Sequence, residues 1–272
     1  MKWGNRGGCV LLVLLLIFSF WLVLEEGEAM SGIGLPDWGR IKKDVGVSPL
    51  ADLGELAARL GSINTFDRRG DTVWMDDFES GLNKWQTYAG YPGGSVAVSA
   101  ERARNGGYAC KLVTGTNGAG TAFLFRALPY PVLGRIGLEF SFAMDDDISY
   151  VDVIFYLYDG TRMLLPHVQY DKVSGVLKYM SADVVWITLA SDLFHTRGTT
   201  CFWTMKMVAD FVKNEYVRII FNERVFDLAG QALQIGESTA TPTLYPYIEV
   251  AGQAGVSGIA FIDDVIITQN EP

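Results

Sequence analysis

From Val73 to Thr268 the chain repeats short runs that alternate apolar and polar residues, with Gly, Pro, Asn and Asp gathered between them. Successive side chains point to opposite faces of a strand, so a period of two buries one face of each run. Ser95–Ser99, Tyr108–Val113, Gly137–Met144 and Tyr150–Tyr158 follow the pattern, and Ala119–Leu128 is apolar enough for a buried strand. Asp159-Gly160 is a hairpin signal. Phe202–Phe211, Tyr216–Phe221 and Arg224–Leu228 read as a meander turning at Lys213-Asn214 and Asn222-Glu223; Leu244–Ala251 and Ile259–Thr268 complete the set. Helical spacing is absent between these runs, which excludes a parallel α/β sheet. The expectation is an all-β, two-sheet antiparallel β-sandwich over residues 71–272.

Two acidic strands frame this region. Val73 to Trp85 contains Asp76, Asp77 and Glu79, with Trp74, Asp76 and Phe78 on one face and Asp77 and Glu79 on the other. Gly258 to Thr268 contains Asp263 and Asp264. Chain ends of a domain tend to meet, so these two strands are expected to pair and close the sandwich. Clustered carboxylates are comfortable only beside a cation or on an exposed edge, where they also discourage pairing with another chain.

The region before the sandwich reads differently. Lys2 and Arg6 precede an apolar stretch from Cys9 to Leu24, followed by Glu25, Glu26 and Glu28. Gly27 and Ala29 fit a cleavage site, so residues 1–29 read as a signal peptide, or as a membrane anchor through residues 9–24 if uncleaved. The exported protein would be secreted or displayed at a cell surface. A start at Met30 would remove the export signal, and a virion location then becomes open. Residues 30–70 read as an irregular segment with one short helix. Ser48 caps it, Pro49 opens it, Leu50, Leu53, Leu56, Ala57 and Leu60 share a face, and Gly61 stops it. So short a helix needs a packing partner, either the sandwich or a second copy in a homo-oligomer.

The formal net charge of −9 and the absence of a basic patch argue against a nucleic-acid partner. Cys110 and Cys201 lie in strand-like runs; in an exported chain they could bridge, but two small buried apolar residues is the favoured reading. No Asn-X-Ser/Thr sequon occurs.

Three segments, taken in order, carry a resemblance. They are Asp77-Phe78-Glu79-Ser80-Gly81 followed by Trp85, then Ala103 to Leu112, then Phe261-Ile262-Asp263-Asp264-Val265. Together they resemble jelly-roll carbohydrate-binding modules. Phe202 to Phe211 is similar to the concanavalin A-like lectin and laminin-G pattern. The resemblance implies a lectin-like sandwich that binds a glycan or other surface polymer. It also implies a structural calcium joining the first and last strands, held by Asp77 and Glu79 with Asp263 or Asp264. A hard cation would relieve the repulsion among those acids. Asp145-Asp146-Asp147 is a weaker metal candidate and reads as a solvated turn.

Sugar binding needs exposed aromatic faces with polar neighbours. Trp85, Tyr88 and Tyr91 are the candidates near the first loop, because the Gly- and Pro-rich stretch Tyr88 to Gly94 cannot easily bury its rings. Tyr170, Tyr179 and Trp186 are secondary candidates, more consistent with core. The Glu-x-Asp-x-x-Glu strand of the related glucanases is missing, as are Gly-x-Ser-x-Gly and His-Glu-x-x-His motifs. Asp152 and Asp210 could face a groove but nothing selects them, and His167 and His195 read as structural. The expectation is therefore a non-catalytic carbohydrate-binding module. Its alternatives are a structural or attachment protein of a virion or surface layer and, less favoured, a glycoside hydrolase.

Overall fold

A computed structural model describes residues 67, 69–116, 120–193 and 198–272. The signal or anchor segment, the helix expected after Ser48, and His195 lie outside the described residues.

Eighteen strands follow in chain order: β1 Asp71–Asp76, β2 Gln86–Ala89, β3 Ser95–Ser99, β4 Ala109–Val113, β5 Thr121–Phe125, β6 Leu128–Pro129, β7 Arg135–Met144, β8 Ile148–Tyr158 and β9 Arg162–Leu165, then β10 His167–Asp171, β11 Val176–Met180, β12 Trp186–Ala190, β13 Trp203–Asp210, β14 Glu215–Phe221, β15 Arg224–Asp227, β16 Gln234–Glu237, β17 Thr243–Gly252 and β18 Ile259–Gln269. No helix occurs among the described residues. The strands form two antiparallel sheets, as the alternation predicts. Sheet A has eight strands in the order β15-β14-β13-β7-β18-β4-β3, with β1 also on β18. Sheet B has ten, in the order β12-β11-β10-β8-β17-β5-β2, with β9, β16 and β6 at one end. The β2 and β16 strands were not legible as strands. Tyr88 was expected in a loop, yet it pairs with Phe123 inside sheet B.

The first and last strands pair, Trp74 opposite Ile267 and Asp76 opposite Val265. Along one edge of β18, residues Ile259 to Ile262 pair with β4, and those from Val265 onward pair with β1. The handover falls at Asp263-Asp264, where the register against β7 shifts and Asp264 takes a φ of 48°. A bulge lets one long strand serve two partners.

The core lies between the sheets. Phe142 of β7, itself against Phe140, and Phe221 of β14 meet Tyr170 of β10, with Tyr170 and Phe221 ring centroids 4.9 Å apart. Tyr179 packs edge-on against Tyr216 at 5.2 Å. Each such ring contributes about 1.5–3 kcal/mol by leaving water. Tyr170 and Tyr179 are thus core residues, as their alternation suggested. Cys110 is buried and Cys201 exposed, and neither is in a disulfide. The expectation of two buried thiols holds for Cys110, whose pKa burial pushes up, and fails for Cys201.

The centre of the outer face of sheet A is shut from water as well, and by charge. Lys206, 1 % exposed, sits 2.7 Å from Glu271, 3.2 Å from Asp67 and 3.9 Å from Glu139. Arg218 pairs with Asp67 and Glu271 and donates to the Pro272 carbonyl. Asp67 and Glu271 are tied down on this face by ion pairs to Lys206 and Arg218, and Arg69 is held by Asp67. Buried charges persist only when paired in this way. Asp210 is on the same sheet, bound to Arg135 at 3.4 Å, so it does not share a groove with Asp152 of sheet B.

Candidate functional site

The opening stretch places its residues by local chemistry. Trp74 and Asp76 point inward, and β1 ends at Asp76. The Asp76 carboxylate is buried, where it accepts the Trp85 indole N–H at 2.7 Å and the Lys84 ammonium at 2.6 Å. Phe78, at a φ of 59°, drops its ring into the core and stacks on Trp85 at 5.8 Å. Trp85 is 7 % exposed and cannot serve as a platform for a ligand. Its polar edge is spent on Asp76, which is how a buried indole normally settles.

Tyr88 and Tyr91 remain at the surface, 52 % and 39 % exposed. Tyr88 lies stacked on Phe123, centroids 4.9 Å apart, and against Gly90, where any Cβ would come within 2.6 Å of the phenol. Tyr91 sits in the turn after β2 and makes no ring contact with Tyr88 among the described residues. The two tyrosines are not one platform.

Tyr88 instead begins a row that crosses sheet B. Cross-strand pairing sets Tyr88 opposite Phe123, Phe123 opposite Glu249, Glu249 opposite Asp152, Asp152 opposite Gln169, Gln169 opposite Lys178, and Lys178 opposite Thr188. Strands stand about 4.8 Å apart, so the row is a continuous stripe at right angles to them. Their strand neighbours Leu124, Val250, Val153, Val168 and Leu177 are in the core, which fixes the stripe on the outer face. A second row runs beside it through Gln86, Phe125, Tyr247, Ile154 and His167. Tyr156 and Tyr245 continue the aromatic side, each half-buried. Phe123 and Tyr247 lie 4.8 Å apart, and Tyr156 meets Tyr247 edge-on at 5.8 Å. At the other side Trp186 meets His167 edge-on at 4.6 Å, with the Lys178 ammonium 5.2 Å over its indole.

The polar centre of the stripe is recessed. The Asp152 side chain is 9 % exposed; its Oδ2 lies 3.3 Å from His167 Nε2 without the alignment of a hydrogen bond, and its Oδ1 has no partner. The Tyr247 hydroxyl donates to Glu249 Oε2 at 2.5 Å. Burial raises the Glu249 pKa, and the Asp152 charge adds to it. Burial likewise raises Tyr150 to about 12, with both acids contributing, so Tyr150 keeps its proton and can donate. Uncharged phenols, an amide, two carboxylates and aromatic faces together offer donors, acceptors and stacking surface. Only Tyr88 and Trp186 of this set were singled out from the sequence as ligand candidates. The alternation in β8 and β17 was the available signal for the rest, but pairing between strands distant in sequence was not legible.

The acids implied as a calcium set lie around the β18 bulge. Glu79 Oε1 accepts the amides of Gly107 at 2.6 Å and Tyr108 at 2.8 Å, and Gly106 leaves no room for a Cβ beside it. Asp77 accepts the Glu79 amide at 3.2 Å. Asp263 accepts the Arg104 amide at 2.7 Å and the Asp264 amide at 2.8 Å. Asp264 Oδ2 takes the Asn105 amide group at 2.7 Å, whereas its buried Oδ1 has no partner. Burial raises Asp263 to about 6 and Asp264 to about 7, with Asp77 adding to both. Among the described residues no three His, Cys, Asp or Glu side chains are grouped as metal ligands. Glu79 spends Oε1, and Asp263 Oδ2, on the loop from Arg104 to Tyr108, and Asp263 Oδ1 accepts the Asp264 amide. The fit to a cation rests on the orphaned oxygen of Asp264 and the two acids beside it.

Two other places carry less. In the Asp145-Asp146-Asp147 turn, Asp145 accepts the amides of Asp147 and Ile259, and Asp146 pairs with Lys172 at 2.9 Å. A depression of about 900 Å³ at the β8–β9 hairpin includes Arg162, Ile235 and Glu237, but no aromatic side chain lines it, and Arg162 is held by Asp159 at 2.9 Å.

No family model and no curated protein matches the chain. Solved structures similar to it include a sialidase, at 9 % identity and a TM-score of 0.49, covering 74 % of this chain and 19 % of the sialidase. The chain thus spans about a fifth of that protein's length. The cellulose-induced protein Cip1 is similar at 16 % identity and a TM-score of 0.47, over 72 % of this chain and 96 % of Cip1. The carbohydrate recognition domain of Emp47p is similar at 11 % identity and a TM-score of 0.44, over 76 % of this chain and 99 % of the domain. Likeness at this level bears on neither ligand nor activity.

Proposed function

We propose that the protein is a non-catalytic carbohydrate-binding module whose site is the outer face of sheet B. One observation carries this reading: the row Tyr88, Phe123, Glu249, Asp152, Gln169, Lys178 crosses the sheet as an unbroken aromatic-to-polar stripe. Sugar rings present apolar C–H faces and hydroxyl edges. An aromatic row flanking recessed acceptors and donors matches both. The test is a glycan array probed with the wild-type chain and with Tyr88→Ala and Trp186→Ala. Binding that weakens in both variants while their melting temperatures hold supports the site. Binding unchanged in both places it elsewhere, and release of reducing ends from a bound glycan overturns the non-catalytic part.

We also propose that calcium binds at the β18 bulge, with Asp264 as ligand and Asp263, Asp77 and Glu79 beside it. Its support is the buried Asp264 Oδ1: Arg104 lies 3.6 Å from Oδ2, so Oδ1 is the oxygen that still lacks a donor or cation. The cation would supply charge compensation where β1, β18 and the Arg104–Tyr108 loop meet. Chelator should lower the melting temperature of the wild-type chain and leave Asp264→Asn unaffected. Equal melting with and without chelator sinks the metal.

A further inference from the structure

We propose that the sheet B stripe selects uncharged glycans over those carrying carboxylate or sulfate groups, and that Asp152 determines this selectivity. The inference rests on the glycan reading above. The charged groups facing the stripe are Asp152 on β8, Glu249 on β17, Asp171 and His167 on β10, and Lys178 on β11. Asp152 and Glu249 stand directly opposite one another at its centre. Both cationic candidates are already engaged by acids. Lys178 lies 3.9 Å from Asp171 with its ammonium over Trp186, and His167 lies 3.3 Å from Asp152. Among the described residues, an anionic ligand therefore meets facing carboxylates and no free cation on the stripe.

Recession makes this charge effective. Asp152 is 9 % exposed at its side chain, so solvent and salt screen it poorly. Its Oδ1 is enclosed and accepts no hydrogen bond, so the negative charge there is not spent on a protein donor. A carboxylate left in that state repels a second one brought onto the stripe. Discrimination in binding commonly comes from such repulsion as much as from attraction.

The test uses an array of sialylated, sulfated and uronate-bearing oligosaccharides, each beside its uncharged parent, at two ionic strengths. The wild-type chain should bind the uncharged parents at least tenfold better than their acidic derivatives. Asp152→Asn should shrink that ratio, and Glu249→Gln, read independently in case the Asn variant folds poorly, should shrink it too. Acidic derivatives bound as well as their parents, or a ratio untouched in both variants, overturns the selectivity and leaves the glycan reading standing. No binding to any glycan overturns that reading and this inference with it.

Discussion

Asp152 of β8 and Glu249 of β17 occupy opposite positions on adjacent strands, and both leave the sheet on its outer face. They are 97 residues apart in the chain. Their pairing places two like charges at the centre of an aromatic stripe, where a sheet built for stability alone would set opposite charges or apolar pairs.

That pairing has a pH signature. Burial raises the Glu249 pKa above its ordinary 4.5; the hydrogen bond from Tyr247 opposes this and the Asp152 charge adds to it. The folded chain then keeps a proton that the unfolded chain releases just above pH 4.5, so stability falls as pH rises through that interval. Asp67 acts in the opposite sense. Burial works against it, but the Arg69 hydrogen bond and the Lys206 charge hold it well below 3.8. Its contribution is full above 3.8 and is lost as pH falls toward the folded value. Denaturant midpoints across pH 3 to 8 should decline less above pH ~4.5 in Glu249→Gln. They should lose less on the acid side in Asp67→Asn. Identical profiles in variant and parent would refute either assignment.

Two aromatic residues three apart should behave as opposites. Tyr88→Ala removes an exposed ring and should change stability by no more than about 0.5 kcal/mol while weakening glycan binding about tenfold. Trp85→Ala empties a core position and should cost about 3–5 kcal/mol. Gly90→Ala, which drives a methyl into the Tyr88 phenol, should reduce binding with little change in melting. Calorimetric melting beside titration with an array-identified glycan separates the three.

Asp76→Ala strips the buried acceptor from the Trp85 indole and the Lys84 ammonium. An unpaired buried donor costs about 1–3 kcal/mol, and urea unfolding should record a loss of that size. Asp76→Asn keeps one acceptor oxygen and should recover part of it. No difference between the two variants would show that the carboxylate geometry is unimportant.

Lys206→Met should cost about 3–5 kcal/mol, because Glu271 and Asp67 are then left buried without their central cation. Lys206→Met combined with Glu271→Leu should recover much of the loss. A double variant no more stable than the single one would contradict the network.

The sequence by itself determined the class of fold and the meeting of its ends. Period-two runs bounded by turn residues dictate strands, because a strand can bury only alternate side chains, and the acidic first and last strands did prove to be neighbours. It also marked Tyr88 and Trp186 as aromatics worth attention. Only the tertiary structure decided that Trp85 turns inward to Asp76, that Tyr91 stands apart from Tyr88, and that Asp152 and Asp210 belong to different sheets. The same holds for the sheet B stripe. Each of its members is an ordinary alternate residue within its own strand. The stripe exists only once hydrogen-bonded register sets strands from opposite ends of the chain side by side, and register is a property of pairs of strands rather than of any one of them.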